Sequence, residues 1–261
     1  MSTAHYALPA FSLRFIPIWR RNFLVWKKLA IASVLGNIAD PLITLIAFGY
    51  GLGSLLQQIN GIPYIHYLAS GSICMSIMMA ASFEALYSAF SRMHVQKTWD
   101  ALLNAPLSLD DVVLAEMLWA ATKSLFSGVA ILGVMFMLGI GLHPHTLLVL
   151  PLLFLIGMMF ASLGLVINAI AHGYDFFTYY FTLVLTPMIF LSGVYYPTSQ
   201  LPLWLQVISD FLPLSAAVNL VRPLILGQWP NMPIADIAIM LVYSVTGFYI
   251  ATILTRRRLL K

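Results

Sequence analysis

Residues 91–111 read SRMHVQKTWDALLNAPLSLDD, the longest charged interruption between apolar stretches in a chain of 261 residues. Everything around it is poor in charge. The whole chain is 61% hydrophobic and 8% charged, against roughly 25% charged in an ordinary soluble domain. Charges that sparse do not cover the exterior of a soluble globule, and disorder requires low hydrophobicity. At about 20 apolar residues per span, the composition predicts an all-α polytopic membrane protein with six transmembrane helices.

Upstream of the polar stretch, a second span is expected over about 67–90, with Glu84 inside, and a first over about 29–56, holding Asn37, Asp40 and Pro41. Residues 11–28, FSLRFIPIWRRNFLVWKK, alternate Phe11, Phe15, Ile16, Trp19, Phe23 and Trp26 with five cations. That pattern suits an amphipathic helix in the headgroup layer. The chain thus divides into an arm with an interface helix over 1–28 and a membrane domain over 29–261. No short-residue cleavage site follows the basic arm, so it is expected to stay attached.

Downstream, Ser108 and Asp111 have capping-box spacing and open a third span, about 112–142, that encloses Glu116 and Lys123. The fourth, about 146–171, carries Pro151 and the pair Gly157 and Ala161, whose spacing lets helices approach closely. A polar turn from His172 to Asp175 leads to a fifth span over about 176–191. From 192 to 227 the chain stays apolar but is punctuated by Gly193, Pro197, Pro202, Pro213 and Pro223, with Asp210 and Arg222 as its only charges. Proline at that density forbids one straight span and predicts short interfacial or re-entrant helices. A sixth span, about 234–254, precedes the ending TRRRLLK.

Eleven of the thirteen Lys and Arg residues fall in the arm, the 91–111 loop and the C-terminal tail. By the positive-inside rule these three segments, and both termini, face the cytoplasm. Asp40, Glu84, Glu116 and Lys123 each cost roughly 2.5–3.5 kcal/mol at mid-bilayer, so they should face the bundle interior, a water-filled path or a span end. Lys123 lies two turns beyond Glu116 on the same face, with Glu84 of the neighbouring span between them in height. A Glu84 pair with Lys123 or Glu116, forming a polar seam between two helices, is the expected arrangement. An ion-coupled secondary transporter using these charges is the alternative.

No phosphate-cradling G-x-x-x-x-G-K-[ST] occurs, and Gly49, Gly51 and Gly53 read as a helix end or packing seam. Cys74 is the only cysteine, and His143 and His145 lack a third ligand nearby, so no metal is expected. In the polar loop, Arg92, His94, Gln96, Lys97, Thr98, Trp99 and Asp100 run into Ala101, Leu102 and Leu103 before Pro106 ends the helix. Trp99 in a charged loop reads as an anchor for a soluble partner or as an aromatic-belt residue.

Taken in order, the basic arm, the six spans, the KTWDALLNAPLSLDD loop, FLSGVYYPTSQLP and FLPLSAAVNLVRPLILG resemble the type-2 ABC exporter permeases, in particular their nodulation-factor export branch. The likeness extends from about Phe11 to Arg258. It implies a permease homodimer in the bacterial inner membrane that works with a separate ABC ATPase subunit, to which ATP and Mg belong, and exports a lipid-modified or polymeric glycan. The chain itself would bind no cofactor and no nucleic acid. By the same resemblance Arg92, Gln96, Lys97, Thr98, Trp99, Asp100 and Leu103 would form the coupling helix in the ATPase cleft, with His172 and Asp175 as a smaller second contact. Gly193, Pro197, Pro202, Pro213, Arg222 and Pro223 would mark the re-entrant helices capping the exit.

Overall fold

The computed structural model describes residues 6–9, 12–56, 58–59 and 61–259. Phe11, Lys261 and the side chains of Asn37 and Asp40 lie outside the described residues. Among the described residues eleven α-helices follow one another: α1 (Phe15–Lys27), α2 (Ala30–Gly51), α3 (Tyr64–Phe83), α4 (Thr98–Leu103), α5 (Leu109–Met137), α6 (Val149–Ile170), α7 (Asp175–Tyr180), α8 (Thr186–Leu191), α9 (Leu203–Phe211), α10 (Pro213–Ile225) and α11 (Pro233–Leu259). A two-stranded turn, β1 (Gln58–Ile59) and β2 (Ile62–Pro63), joins α2 to α3.

Among the described residues five helical stretches are long and apolar enough to cross a membrane: Ala30–Ser54, Tyr64–Val95, Leu109–Met137, Pro144–Ile170 and Pro233–Leu259. α3 is the central one, and 72% of its most apolar window is buried inside the molecule, against 13% for α2. The outward residues of α2, including Ile31, Leu35 and Ile43, are large and apolar, as lipid-exposed helices require.

Side-chain contacts define two ends of the bundle. At one end, Ser12 Oγ donates to Asp111 Oδ1 at 2.6 Å and Arg14 Nη1 to the Pro106 carbonyl at 2.7 Å, which ties the arm to the start of α5. Arg256 near the C-terminus donates from Nε and Nη2 to Asp110 at 2.8 and 2.5 Å. Arg258 Nη1 reaches the last carbonyls of α6, on Asn168 and Ala169, at 3.1 and 2.9 Å. Arm, polar loop and tail therefore share one end, as the clustering of cations predicts.

The fifth span, α7 to α8, is 17 residues long, close to the lower limit for crossing. Its two ends settle its course. Tyr174, just before α7, packs on Tyr87 and Phe90 at ring distances of 5.9 and 5.2 Å. Just after α8, the Gly193 carbonyl accepts from Tyr67 Oη at 3.0 Å. Tyr67 and Phe90 stand about 35 Å apart along α3 at the usual helical rise, so the segment crosses from one end to the other. The next pair, α9 and α10, is bent by 84° at Leu212 and does not cross. Tyr243 Oη, ten residues into α11, donates to the Phe211 carbonyl at 3.0 Å. The hairpin's bend therefore packs beside the body of α11, below its first turns, and not at its start. The chain crosses six times and carries the re-entrant hairpin its prolines predict.

Boundaries differ from expectation where backbone chemistry intervenes. The third span stops at Met137 instead of near Leu142, because Gly139 and Gly141 adopt φ of +75° and +80° and turn the chain. The first stops at Gly51, followed by a 3₁₀ turn over Leu52–Ser54, so the glycines there mark a helix end. The capping box is present: Asp111 N donates to Ser108 Oγ at 3.1 Å and Ser108 N to Asp111 Oδ2 at 3.0 Å.

Gly157 does set the closeness of α5 and α6, for a Cβ there would stand 2.9 Å from Ala121 Cα. Gly157→Ala should cost about 1–3 kcal/mol by overpacking, which is about 5 °C in the apparent Tm in detergent at the usual scaling. An unchanged Tm would show that the two helices have room to spare.

Candidate functional site

The polar end of the bundle holds the candidate site. α3 does not stop at Phe83. It continues through wide i→i+5 turns over Glu84–Ser88 and Ser91–Val95. In a regular α-helix, residues eight apart are offset by roughly 80°, whereas wider turns rotate less per residue and bring them nearer one face. Arg92 therefore turns back toward Glu84 instead of pointing into the loop. Lys97 then takes a left-handed φ of +54°, alone among the described non-glycine residues, and redirects the chain into α4.

A chain of charge-assisted bonds runs inward from α4. Trp99 Nε1 donates to Glu116 Oε1 at 3.2 Å. Arg92 grips both oxygens of Glu116, Nε to Oε1 at 3.0 Å and Nη2 to Oε2 at 2.6 Å, and reaches Glu84 Oε1 at 2.9 Å. Glu84 also accepts from Trp119 Nε1 at 2.9 Å and from Lys123 Nζ at 2.6 Å. Two cations balance two carboxylates. That balance makes the burial tolerable, because an unpaired charge in this position would ionise only at a cost of several kcal/mol.

The expected Glu84–Lys123 pair is there, but Glu116 does not pair with Glu84 directly, since Arg92 stands between them. Two assignments need correction. Trp99 is 1% exposed, so it is neither an exposed partner anchor nor an aromatic-belt residue; Glu116 draws its indole N–H inward. Arg92 is likewise withdrawn from the loop surface by its two carboxylates. The face left exposed on and before α4 consists of Val95, Gln96, Lys97, Asp100, Ala101 and Asn104, with Thr98, Leu102 and Leu103 half-buried. The Lys97–Asp100 contact on that face, at 3.9 Å, is solvent-screened and contributes little.

His172 and Asp175 are exposed in the α6–α7 turn, and the packing of Tyr174 on Phe90 puts that turn at the same end as α4. At the opposite end, Arg222 fastens the hairpin to α3. Its guanidinium lies 3.7 Å from the Tyr67 ring centroid, with Nε to Ser70 Oγ at 3.1 Å and Nη2 to the Gly193 carbonyl at 2.7 Å. Gly193 has φ of +72°, which explains the glycine. Pro197 opens a 3₁₀ turn, Pro202 precedes α9, Pro213 occupies the first turn of α10 and Pro223 lies within it.

Comparison with known proteins bears on this architecture directly. The family model described as ABC-2 type transporter matches residues 14–226, from just before α1 to just past α10, so it includes the polar end and the hairpin. The chain belongs to the ABC-2 type transporter family. This permease is 46% identical over 258 residues to Nodulation protein J of Rhizobium leguminosarum bv. viciae, covering 97% of this chain and 98% of that protein. Nodulation protein J of Rhizobium meliloti strain 1021 is 43% identical over 255 residues, 97% of each chain. The inner membrane transport permease YadH of Escherichia coli K12 is 24% identical over 234 residues, 89% of this chain and 90% of that one.

Two features of the permease escaped sequence reading. Trp119 as a donor to Glu84 carries no local signal, because an indole in a span usually packs on apolar neighbours. The Arg256–Asp110 clamp joins residues 146 positions apart, and spacing alone makes Asp110 only a helix-dipole partner. Trp99→Phe should isolate the indole bond: it keeps the ring and removes the N–H, at a cost of about 1.5–3 kcal/mol for a hydrogen bond to a charged group. A Tm equal to the parent protein's would mean that the bond to Glu116 carries no net stability.

Proposed function

We propose that the chain is the membrane-spanning half of an ATP-driven exporter in the bacterial inner membrane, acting as a homodimer with a separate ABC ATPase and moving a lipid-modified or polymeric glycan outward. The observation that carries this reading is the near-full-length kinship with Nodulation protein J. ATP and Mg belong to the ATPase, since this chain has no phosphate-cradling motif. The cation-rich end faces the cytoplasm by the positive-inside rule.

In this mechanism the ATPase seats on Gln96, Lys97, Asp100, Ala101 and Asn104, with His172 and Asp175 as the smaller contact. Movement of α4 passes through Trp99 to Glu116, then through Arg92 and Glu84 to Lys123, so α3 and α5 shift as one body. At the far end the α9–α10 hairpin, pinned by Arg222, caps the exit. The alternative ion-coupled reading needs a carboxylate free to exchange protons, whereas Glu84 already accepts from Arg92, Trp119 and Lys123.

The test uses the tagged permease purified with its ATPase and reconstituted into vesicles. ATP-dependent movement of a labelled N-acyl oligosaccharide, insensitive to collapse of the proton gradient, is expected. Transport by the permease alone under a proton gradient would replace this reading with the ion-coupled one.

A further inference from the structure

A cavity of about 260 Å³ opens at the polar end between α1 and the α3–α5 seam, with Arg21, Asn22, Trp26, Arg92, Lys123 and Glu84 among its walls. Its charges do not cancel. Arg92 and Lys123 are matched by Glu84 and Glu116, whereas Arg21 donates to the neutral Asn22 Oδ1, at 3.1 Å, and makes no ion pair among the described residues. One positive charge is left over. Partial burial, and after it the neighbouring Arg92, hold the Arg21 guanidinium below its ordinary pKa, with Glu116 acting in the opposite sense.

The same walls contain two buried donors without an acceptor, Asn22 Nδ2 and Trp26 Nε1. Asn22 is only 4% exposed. An unsatisfied buried donor costs about 1–3 kcal/mol, and two beside an unmatched guanidinium describe a site that lacks its acceptor. Val25 and Leu29 also line the cavity and are 57% and 68% exposed, so its mouth opens along an apolar surface. The site therefore suits a ligand with one negative charge, several acceptor oxygens and an apolar tail next to them. α1 places it at headgroup depth.

We propose that this cavity binds the phosphodiester headgroup of an anionic membrane phospholipid, with Arg21 as the charge partner, Asn22 and Trp26 as neutral donors, and the acyl chains lying along Val25 and Leu29. A bound lipid would brace α1 against the charged seam that joins α4 to α3 and α5. The site is distinct from the cargo route and adjoins the docking face only at Gln96, which also lines the cavity.

The permease is purified from nanodiscs of equal phosphatidylglycerol and phosphatidylcholine, and retained lipid is quantified by mass spectrometry. Wild type should keep phosphatidylglycerol in preference to phosphatidylcholine. Arg21→Gln should reduce that retention about tenfold. Arg20→Gln, which removes an exposed neighbouring cation that does not line the cavity, should leave it intact. Equal retention by Arg21→Gln and wild type, equal loss in both variants, or no preference between the lipids overturns the proposal. Release of the lipid by millimolar inorganic phosphate makes the site one for free anions and overturns the lipid assignment, as does full displacement by a neutral N-acyl oligosaccharide.

Discussion

Arg92→Ala is expected to lower the apparent Tm of the purified permease by about 10 °C and to abolish transport. The side chain bridges two buried carboxylates, Glu84 and Glu116, that are 3% and 1% exposed at their side chains. Removing one partner from such a cluster costs about 3–5 kcal/mol, because the remaining charges stay buried and uncompensated, and each kcal/mol is worth about 2–4 °C in a chain of this size. Lys123 alone cannot neutralise both carboxylates. Adding Glu116→Gln to Arg92→Ala restores the charge balance as a Glu84–Lys123 pair and should recover part of the loss. Non-additivity in this cycle measures the coupling directly. If Arg92→Ala melts with the parent protein, the seam is not the element that joins α3 to α5.

The second large effect concerns the exposed face of α4. Ala101→Trp and Asp100→Arg change only surface that faces away from the bundle, so Tm should stay within about 1 °C of wild type, as expected for surface substitutions of about 0.5 kcal/mol or less. ATP-dependent transport should fall at least tenfold, since a bulky ring or a reversed charge there blocks the ATPase from seating. Measuring ATP hydrolysis in the same preparation separates failed docking from failed transmission. Docking variants lose stimulation of the ATPase by the permease. Trp99→Phe, which acts behind the face, should leave hydrolysis while weakening transport. Wild-type transport in both surface variants would remove α4 from the coupling pathway.

These expectations differ from what the loop sequence suggests, and the difference is instructive. In SRMHVQKTWDALL the aromatic and the arginine stand out, and both turn out to face inward. Their direction depends on the wide turns that carry α3 past Phe83 and on a carboxylate contributed by α5. Neither is a property of the loop. What remains outside is the unremarkable set Val95, Gln96, Lys97, Asp100 and Ala101, with Asn104 just beyond.

Amino-acid order alone determined the membrane class, the six crossings, the clustering of cations at one end, the Ser108–Asp111 cap, the close approach at Gly157 and the re-entrant hairpin. Each follows from local physics: the apolar length needed to span a bilayer, backbone groups that proline frees, and side chains that bond within one turn. Tertiary structure alone decided that Arg92 bridges Glu84 and Glu116, that Trp99 is buried, that Arg222 pins the hairpin to Tyr67 and that Arg256 clamps Asp110. Those are pairings across eight to more than a hundred residues, and a buried charge takes whichever counter-charge the packed helices bring within about 3 Å.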